Sequence, residues 1–222
     1  MVGGIASVRV VEDCLDGADT ERARDEDPVD SSLVCLLRWS KIVGRAGRAA
    51  ALIGNDIATF PDFPAEIRAP AGTTFGVSAF QIHFGSRQIR TVGDYPDVLV
   101  ALNPAALKVN LGEINKGGLI IADTGAFSDR NLMKAGFETN PIEDGSLGGF
   151  RVIDLDITKA TLEAVKDYGL SQKEAVRCKN MWTLGLVYWL YGRDRRPTVK
   201  WLNEKFKNRE EISASNVAAL VP

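Results

Sequence analysis

Short apolar runs alternate with helical segments along most of the chain. Five runs have the length and pattern of strands: IATF from Ile57, GVSAFQIHF from Gly76, DVLVALN from Asp97, KGGLIIADT from Lys116 and FRVIDLDIT from Phe150. An earlier apolar run, SLVCLLRW, is a further strand candidate, and KIVGRAGRAAALIGND after it has a turn followed by an Ala-rich helical pattern. Strands and helices at this spacing predict βαβ units and a parallel sheet.

Capping signals set the predicted helix boundaries. Asn103 followed by Pro104 predicts a helix that begins there and runs to about Leu111. The other helical signals are Ser128 to Gly136, the segment TLEAVKDYG, a capping box of Ser171 and Glu174 before a long helix reaching Tyr191, and Pro197 opening TVKWLNEKFKN. The pattern predicts an α/β protein with a three-layer α/β/α architecture, a mostly parallel Rossmann-like sheet and a helical C-terminal third.

Residues 1–31 differ from the rest in composition. The first thirty residues hold nine acidic residues and three arginines, whereas the whole chain of 222 residues has a net charge of −2. Low aromatic content and high charge predict a segment that is disordered or atypical, followed by a folded domain at 32–222. Removing residues 1–30 is expected to leave the melting temperature nearly unchanged.

Composition excludes several classes of protein. The near-neutral charge argues against a nucleic-acid binder, and the apolar run Met181–Tyr191 is too short to span a membrane. Three cysteines without CxxC spacing argue against a disulfide framework or a metal site and favour a reducing, cytoplasmic compartment. No nucleophile, base and orienting acid form a catalytic set, so no catalytic and no metal-binding residue is predicted.

The segment FPDFPAEIRAPAGTT, from Phe60, combines prolines, charges and small polar residues after a predicted strand. Prolines limit the entropy of the unfolded loop, so Glu66 and Arg68 can be presented on a fixed edge. Gly72 and Thr73 follow, where backbone N–H groups and a hydroxyl could meet an anion. The alternative is a surface turn with a local ion pair.

Three stretches together resemble a known family. They are FPDFPAEIRAPAGTTFGVSAFQIHF, GDYPDVLVALNPAALKVNLGEINKGGLIIADT and RCKNMWTLGLVYWLYGRDRRPTVKWLNEKF. They are similar to the gamma-type domain of 2-oxoacid:ferredoxin oxidoreductases, and within that family to the N-terminal part of the alpha subunit of 2-oxoglutarate:ferredoxin oxidoreductases. The similarity runs from about Ala49 to Leu220.

The resemblance implies a function that depends on a complex. Such enzymes decarboxylate a 2-oxoacid, reduce ferredoxin and form an acyl-CoA, using thiamine diphosphate, Mg, an iron–sulfur cluster and CoA. The implied partners are a pyrimidine-binding domain, a thiamine diphosphate subunit and, through the complex, ferredoxin. The resemblance assigns Glu66, Arg68, Gly72 and Thr73 to a loop on the substrate and CoA side, and no cofactor to this chain alone.

Two departures from the family leave other interpretations open. The family begins with a strand and a glycine-rich loop, whereas this chain has IVGRAG, in which Gly44 and Gly47 are the remnant of that loop. The chain also ends without a pyrimidine-binding domain, so it is expected to be inactive alone. The alternatives are a stand-alone CoA- or nucleotide-binding Rossmann-like module and an inactive fragment.

Overall fold

The computed structural model describes Ala6–Asp13, Asp56–Asp62, Val77–Gly85 and residues 95–220. Within the first three stretches, the described side chains are those of Val8, Arg9, Val10 and Gln81. The predicted strand SLVCLLRW and the helical pattern after it lie outside these residues. The chain divides into two compact units, residues 1–44 with 55–155 and residues 45–54 with 156–222.

The first unit is built on a six-stranded sheet. Its strands are β1 (Ala6–Asp13), β2 (Asp56–Asp62), β3 (Val77–Gly85), β4 (Val98–Ala101), β5 (Leu119–Asp123) and β6 (Arg151–Leu155), in the order β2-β3-β1-β4-β5-β6. The strands β1, β4, β5 and β6 are parallel, and β3 is antiparallel to both of its neighbours. The five strands predicted from IATF to FRVIDLDIT are confirmed as β2 to β6.

Strand β1 corrects the prediction for the acidic N-terminus. The prediction of disorder is wrong for Ala6–Asp13, which lies inside the sheet between β3 and β4. The physical reason is local alternation, because Val8 and Val10 are buried on one face while Arg9 points to the other. The domain boundary near residue 31 stays a prediction.

One face of the sheet carries the main apolar cluster of this unit. Leu99 and Ile120 lie side by side in adjacent strands and are fully buried. They pack with residues of the following helices and turns, including Leu107, Phe127 and Leu132. Burying each of these large side chains contributes about 1.5–3 kcal/mol, so this cluster fixes the register of β4 and β5.

Two helices belong to the same unit: α1 (Pro104–Asn110) and α2 (Asp129–Lys134). The Asn103 side chain accepts a hydrogen bond from the Ala106 N–H at 2.7 Å, which confirms the predicted cap. Helix α2 begins after Ser128 and ends before Gly136, whose φ is 71°. This left-handed backbone is easily adopted only by glycine, and it confirms the predicted stop.

The second unit is helical. Its helices are α3 (Ile157–Val165), α4 (Gln172–Arg177), α5 (Lys179–Leu190), α6 (Arg196–Lys205) and α7 (Glu210–Ala219). Helix α5 is buried from Met181 to Tyr188 and contacts α3, α4 and α7. The α/β class, the mostly parallel sheet and the helical C-terminal third are therefore confirmed.

Local chemistry explains the helix boundaries in this unit. The Ser171–Glu174 capping box is present as predicted. The predicted single helix to Tyr191 is instead two helices, because the Cys178 N–H donates to the carbonyls of Ala175 and Val176 and so tightens the turn. Helix α3 starts four residues earlier than TLEAVKDYG, since the Asp156 carboxylate accepts from the Lys159 N–H at 2.8 Å.

Gly118, just before β5, gives a stability prediction. A Cβ atom there would lie 2.8 Å from the Asn115 carbonyl oxygen and 3.1 Å from that of Asp97, and backbone cannot move aside easily. We expect Gly118→Ala to lower the free energy of unfolding by about 1–3 kcal/mol, measured by urea denaturation. Gly112→Ala is the matched control, because no atom lies within 4 Å of its Cβ position. Equal stability of the two variants would contradict the close packing at Gly118.

Candidate functional site

The carboxyl edge of the sheet is the candidate site, because open parallel sheets bind ligands there. Residues Asp62, Ala79, Val11, Ala101 and Ala122 form one row across five strands. The segment 63–76 follows Asp62 and rejoins the sheet at Val77, whose partner is Asp13 at the end of β1. Asp62 and Val77, which flank this segment, therefore both lie at the carboxyl edge.

The residues predicted to contact a ligand belong to this segment or to the altered glycine loop. They are Glu66, Arg68, Gly72 and Thr73 in the first case and Gly44 and Gly47 in the second. All six lie outside the described residues, and their roles stay predictions. What the fold supplies is the position of the anchoring strands β2 and β3.

The described part of the edge consists of the residues that follow β4 and β5. Asn103, half-buried, follows β4 and is held by its capping bond to α1. Asp123 ends β5 and is fully buried, and half-buried Thr124 begins a short 3-10 turn with Gly125. Polar residues occur here because each apolar strand is followed by a helical turn, and a polar residue stands at the N-cap of that turn: Asn103 after β4 and Asp123 after β5.

Strand order sets the distance along the edge between the ends of β2 and β3 and the end of β4. Neighbouring strands are about 4.8 Å apart, so β3 and β4 are about 10 Å apart and β2 and β4 about 14 Å. The row through Asp62 and Ala101 puts them at the same height in the sheet. The described ends of β2 and β4 therefore lie about 14 Å apart along this edge.

Strand-end acids have structural partners. Asp97 accepts a hydrogen bond from the Asn115 side-chain amide at 2.9 Å, and Asp156 caps α3. Within the described ranges, no three His, Cys, Asp or Glu side chains are grouped so that they could hold a metal ion. Cys178 is buried, and burial raises the pKa of its thiol, which favours the protonated form. Cys14 and Cys35 lie outside the described residues.

A buried polar network on the face of α1 was missed from the sequence. The Arg9 guanidinium donates to the Gln81 side-chain amide oxygen at 2.9 and 2.6 Å, to the Asn110 side-chain amide oxygen at 3.0 Å and to the Glu113 carboxylate. Arg9, Gln81 and Asn110 are each less than 10% exposed. The network joins β1, β3 and the end of α1. Its only sequence signal is a lone arginine between two valines.

The arrangement has consequences for chemistry. The described edge offers hydrogen-bonding groups and a buried acid, and the Arg9 network joins β1 to β3, one of the two strands that flank the segment 63–76. This suits a binding surface that positions a ligand or a partner. Among the described residues no helix is long and apolar enough to cross a membrane.

Comparison with known proteins identifies relatives. The family model for pyruvate ferredoxin/flavodoxin oxidoreductase matches residues 41–221. The 2-oxoglutarate oxidoreductase subunit KorA of Mycobacterium tuberculosis is 51% identical over 171 residues, which cover 77% of this chain and 26% of KorA.

A solved structure is similar in fold. The 2-oxoglutarate:ferredoxin oxidoreductase of Magnetococcus marinus, determined with 2-oxoglutarate, coenzyme A and succinyl-CoA bound, aligns with a TM-score of 0.61 at 23% identity. The alignment covers 97% of this chain and 30% of that one. The chain thus spans less than a third of the length of either relative.

Proposed function

The chain belongs to the pyruvate ferredoxin/flavodoxin oxidoreductase family, and we propose that it is the gamma-type domain of a 2-oxoacid:ferredoxin oxidoreductase. The observation that carries this proposal is the 51% identity to KorA over 171 residues. The proposed reaction converts a 2-oxoacid and CoA to an acyl-CoA and carbon dioxide, and the two electrons released reduce ferredoxin. The proposed substrate is 2-oxoglutarate or a related 2-oxoacid, and the proposed compartment is the cytoplasm.

The cofactors of this reaction are assigned to the complex. Thiamine diphosphate, Mg and an iron–sulfur cluster need ligand sets, and the described residues contain no suitable group of side chains for a metal ion. We assign these cofactors to the proposed partners, a pyrimidine-binding domain and a thiamine diphosphate subunit. The role of this chain is to bind and orient.

The segment 63–76 is the proposed contact with substrate or CoA. Arg68 would hold an anionic group, since its planar guanidinium matches a carboxylate or phosphate with two parallel hydrogen bonds. Glu66 would orient Arg68, and Gly72 and Thr73 would offer backbone and hydroxyl donors. The anchoring of this segment at the carboxyl edge by β2 and β3 supports the proposal.

A reconstitution assay tests the proposed function. We expect the chain, co-expressed with the pyrimidine-binding domain and the thiamine diphosphate subunit, to co-purify with them and to give CoA-dependent reduction of a viologen dye with 2-oxoglutarate or pyruvate. Omitting this chain is the control and should abolish the activity. Tight binding of CoA by the isolated chain without assembly would favour a stand-alone module. Neither assembly nor CoA binding would indicate an inactive fragment.

A further inference from the structure

The surface of α6 carries the largest concentration of positive charge among the described helices. Between residues 193 and 209 the sequence has seven Lys and Arg side chains and two acids, while the whole chain has a net charge of −2. Helix α6 has one face toward the unit, where Thr198 and Leu202 are buried. Its cations lie on the other faces.

An open groove of about 710 Å³ runs along this exposed side. Four cations line it: Arg195, Arg196, Lys200 and Lys207. Val199 contributes apolar surface within the same groove. A groove open along one side of a helix suits an extended protein surface better than an enclosed small molecule.

Two of the four cations have no acidic partner among the described residues. Arg196 pairs with Asp194 at 2.8 Å, and Lys200 approaches Glu204 at 4.0 Å, both on the exposed surface. In the described part of the chain, Arg195 and Lys207 have no acidic side chain within ion-pair distance. The four cations carry +4 and the two paired acids −2, so a net charge of +2 remains at the groove and gives it a positive potential that a partner could use.

An exposed tryptophan lies near the end of the preceding helix, α5. The Tyr188 hydroxyl and the Thr198 hydroxyl are 2.8 Å apart, which joins the end of α5 to the start of α6. Trp189 follows directly and is 73% exposed. Trp, Tyr and Arg are the residues most enriched at the energetic centres of protein interfaces.

We infer that the α6 groove, defined by Arg195, Arg196, Lys200 and Lys207, is a docking surface for an acidic face of a partner subunit or domain of the complex. This inference rests on the proposed function. The relatives contain far more polypeptide than this chain covers, 26% of KorA and 30% of the solved structure, so they have other domains available for contact. Positive charge selects an acidic partner by complementarity.

A protein partner fits this surface better than a nucleic acid. Asp194 and Glu204 lie among the cations, and Glu210 and Glu211 follow at the start of α7. A phosphate backbone presents only negative charge and would meet these carboxylates unfavourably. A protein surface can place a basic residue opposite each acid.

A double charge reversal tests the inference. We expect Arg195→Glu/Lys207→Glu to raise at least tenfold the dissociation constant between this chain and the purified pyrimidine-binding domain with the thiamine diphosphate subunit. These two residues were chosen because their replacement breaks no ion pair among the described residues. The wild-type complex should weaken when salt rises from about 0.05 to 0.5 M, and the variant should respond less because exposed charges are screened.

Matched controls make the test decisive. Lys116→Glu/Lys134→Glu makes the same change in net charge at exposed positions of the first unit and should leave the dissociation constant within about twofold, with thermal melts checking that all variants fold. Equal affinity of the two double variants would overturn the inference while leaving the proposed function intact. Failure of the wild-type chain to assemble would overturn both. Groove-dependent binding of a 30-nucleotide RNA with unchanged assembly would overturn it in favour of a nucleic acid.

Discussion

Replacing Arg9 by methionine should lower the free energy of unfolding by about 2–5 kcal/mol. The change leaves the side-chain amide oxygens of Gln81 and Asn110 without their guanidinium donor, and both side chains are almost fully buried. A buried polar group that loses its partner costs about 1–3 kcal/mol. Methionine preserves much of the volume, so the loss reports on the hydrogen bonds. Urea denaturation of the full chain measures it.

Two control variants separate the parts of this network. Glu113→Gln should cost less than about 1 kcal/mol, because the Glu113 side chain is 55% exposed and water can solvate it. Arg130→Met, on exposed α2 surface, should change stability by less than about 0.5 kcal/mol. If Arg9→Met were no worse than Arg130→Met, the guanidinium would not hold β1 and β3 as described.

Replacing Arg68 by alanine should lower kcat/KM of the reconstituted complex about 10- to 100-fold and leave the stability of the chain nearly unchanged. The expected size follows from the loss of hydrogen bonds between charged groups, about 1.5–3 kcal/mol. Arg68→Lys should recover only part of the activity, because an ammonium cannot form two parallel bonds to a carboxylate or phosphate. Steady-state rates with varied 2-oxoacid and with varied CoA would show which ligand Arg68 contacts.

The alternative role of Arg68 makes a different prediction. If Arg68 and Glu66 only form a local ion pair in a surface turn, Arg68→Ala and Glu66→Gln should change stability equally and leave kcat/KM unaffected. Arg68 would also be assigned a structural role if Arg68→Ala lowered the free energy of unfolding by as much as the free energy that corresponds to its loss of kcat/KM. Urea denaturation and kinetics on the same preparations distinguish these results.

The elements that could be predicted from the sequence are those with local causes. Asn103 and Pro104 begin a helix through their own chemistry, and the strands β4 and β5 are continuous apolar runs between turn residues. The helix start and the apolar runs are each contained in about ten consecutive residues, so they can be recognised without knowledge of the fold. The edge that carries the candidate site could be predicted for the same reason, because it follows from strand ends.

The features that were missed depend on distant parts of the chain. Strand β1 has only a few apolar residues inside an acidic segment, and what makes it a strand is its pairing with β3 and β4. The partners of Arg9 are 72, 101 and 104 residues away along the chain. The break between α4 and α5 at Cys178 was missed for another reason. It is a single tightened turn, and the residues on both sides of it keep the same helical sequence pattern.

The place of β1 between β3 and β4 has a consequence for synthesis on the ribosome. Among the described strands β1 is synthesised first, although it is an inner strand of the sheet, and its partner Gln81 follows Arg9 by 72 residues. At ribosomal rates this is a delay of roughly 4–14 s, during which the valines of β1 and the Arg9 side chain have neither neighbour. The nascent β1 segment must remain soluble over that interval, and the acidic residues at its end and in the sequence that follows, from Glu12 to Asp30, provide the charge repulsion that keeps such a segment from self-association.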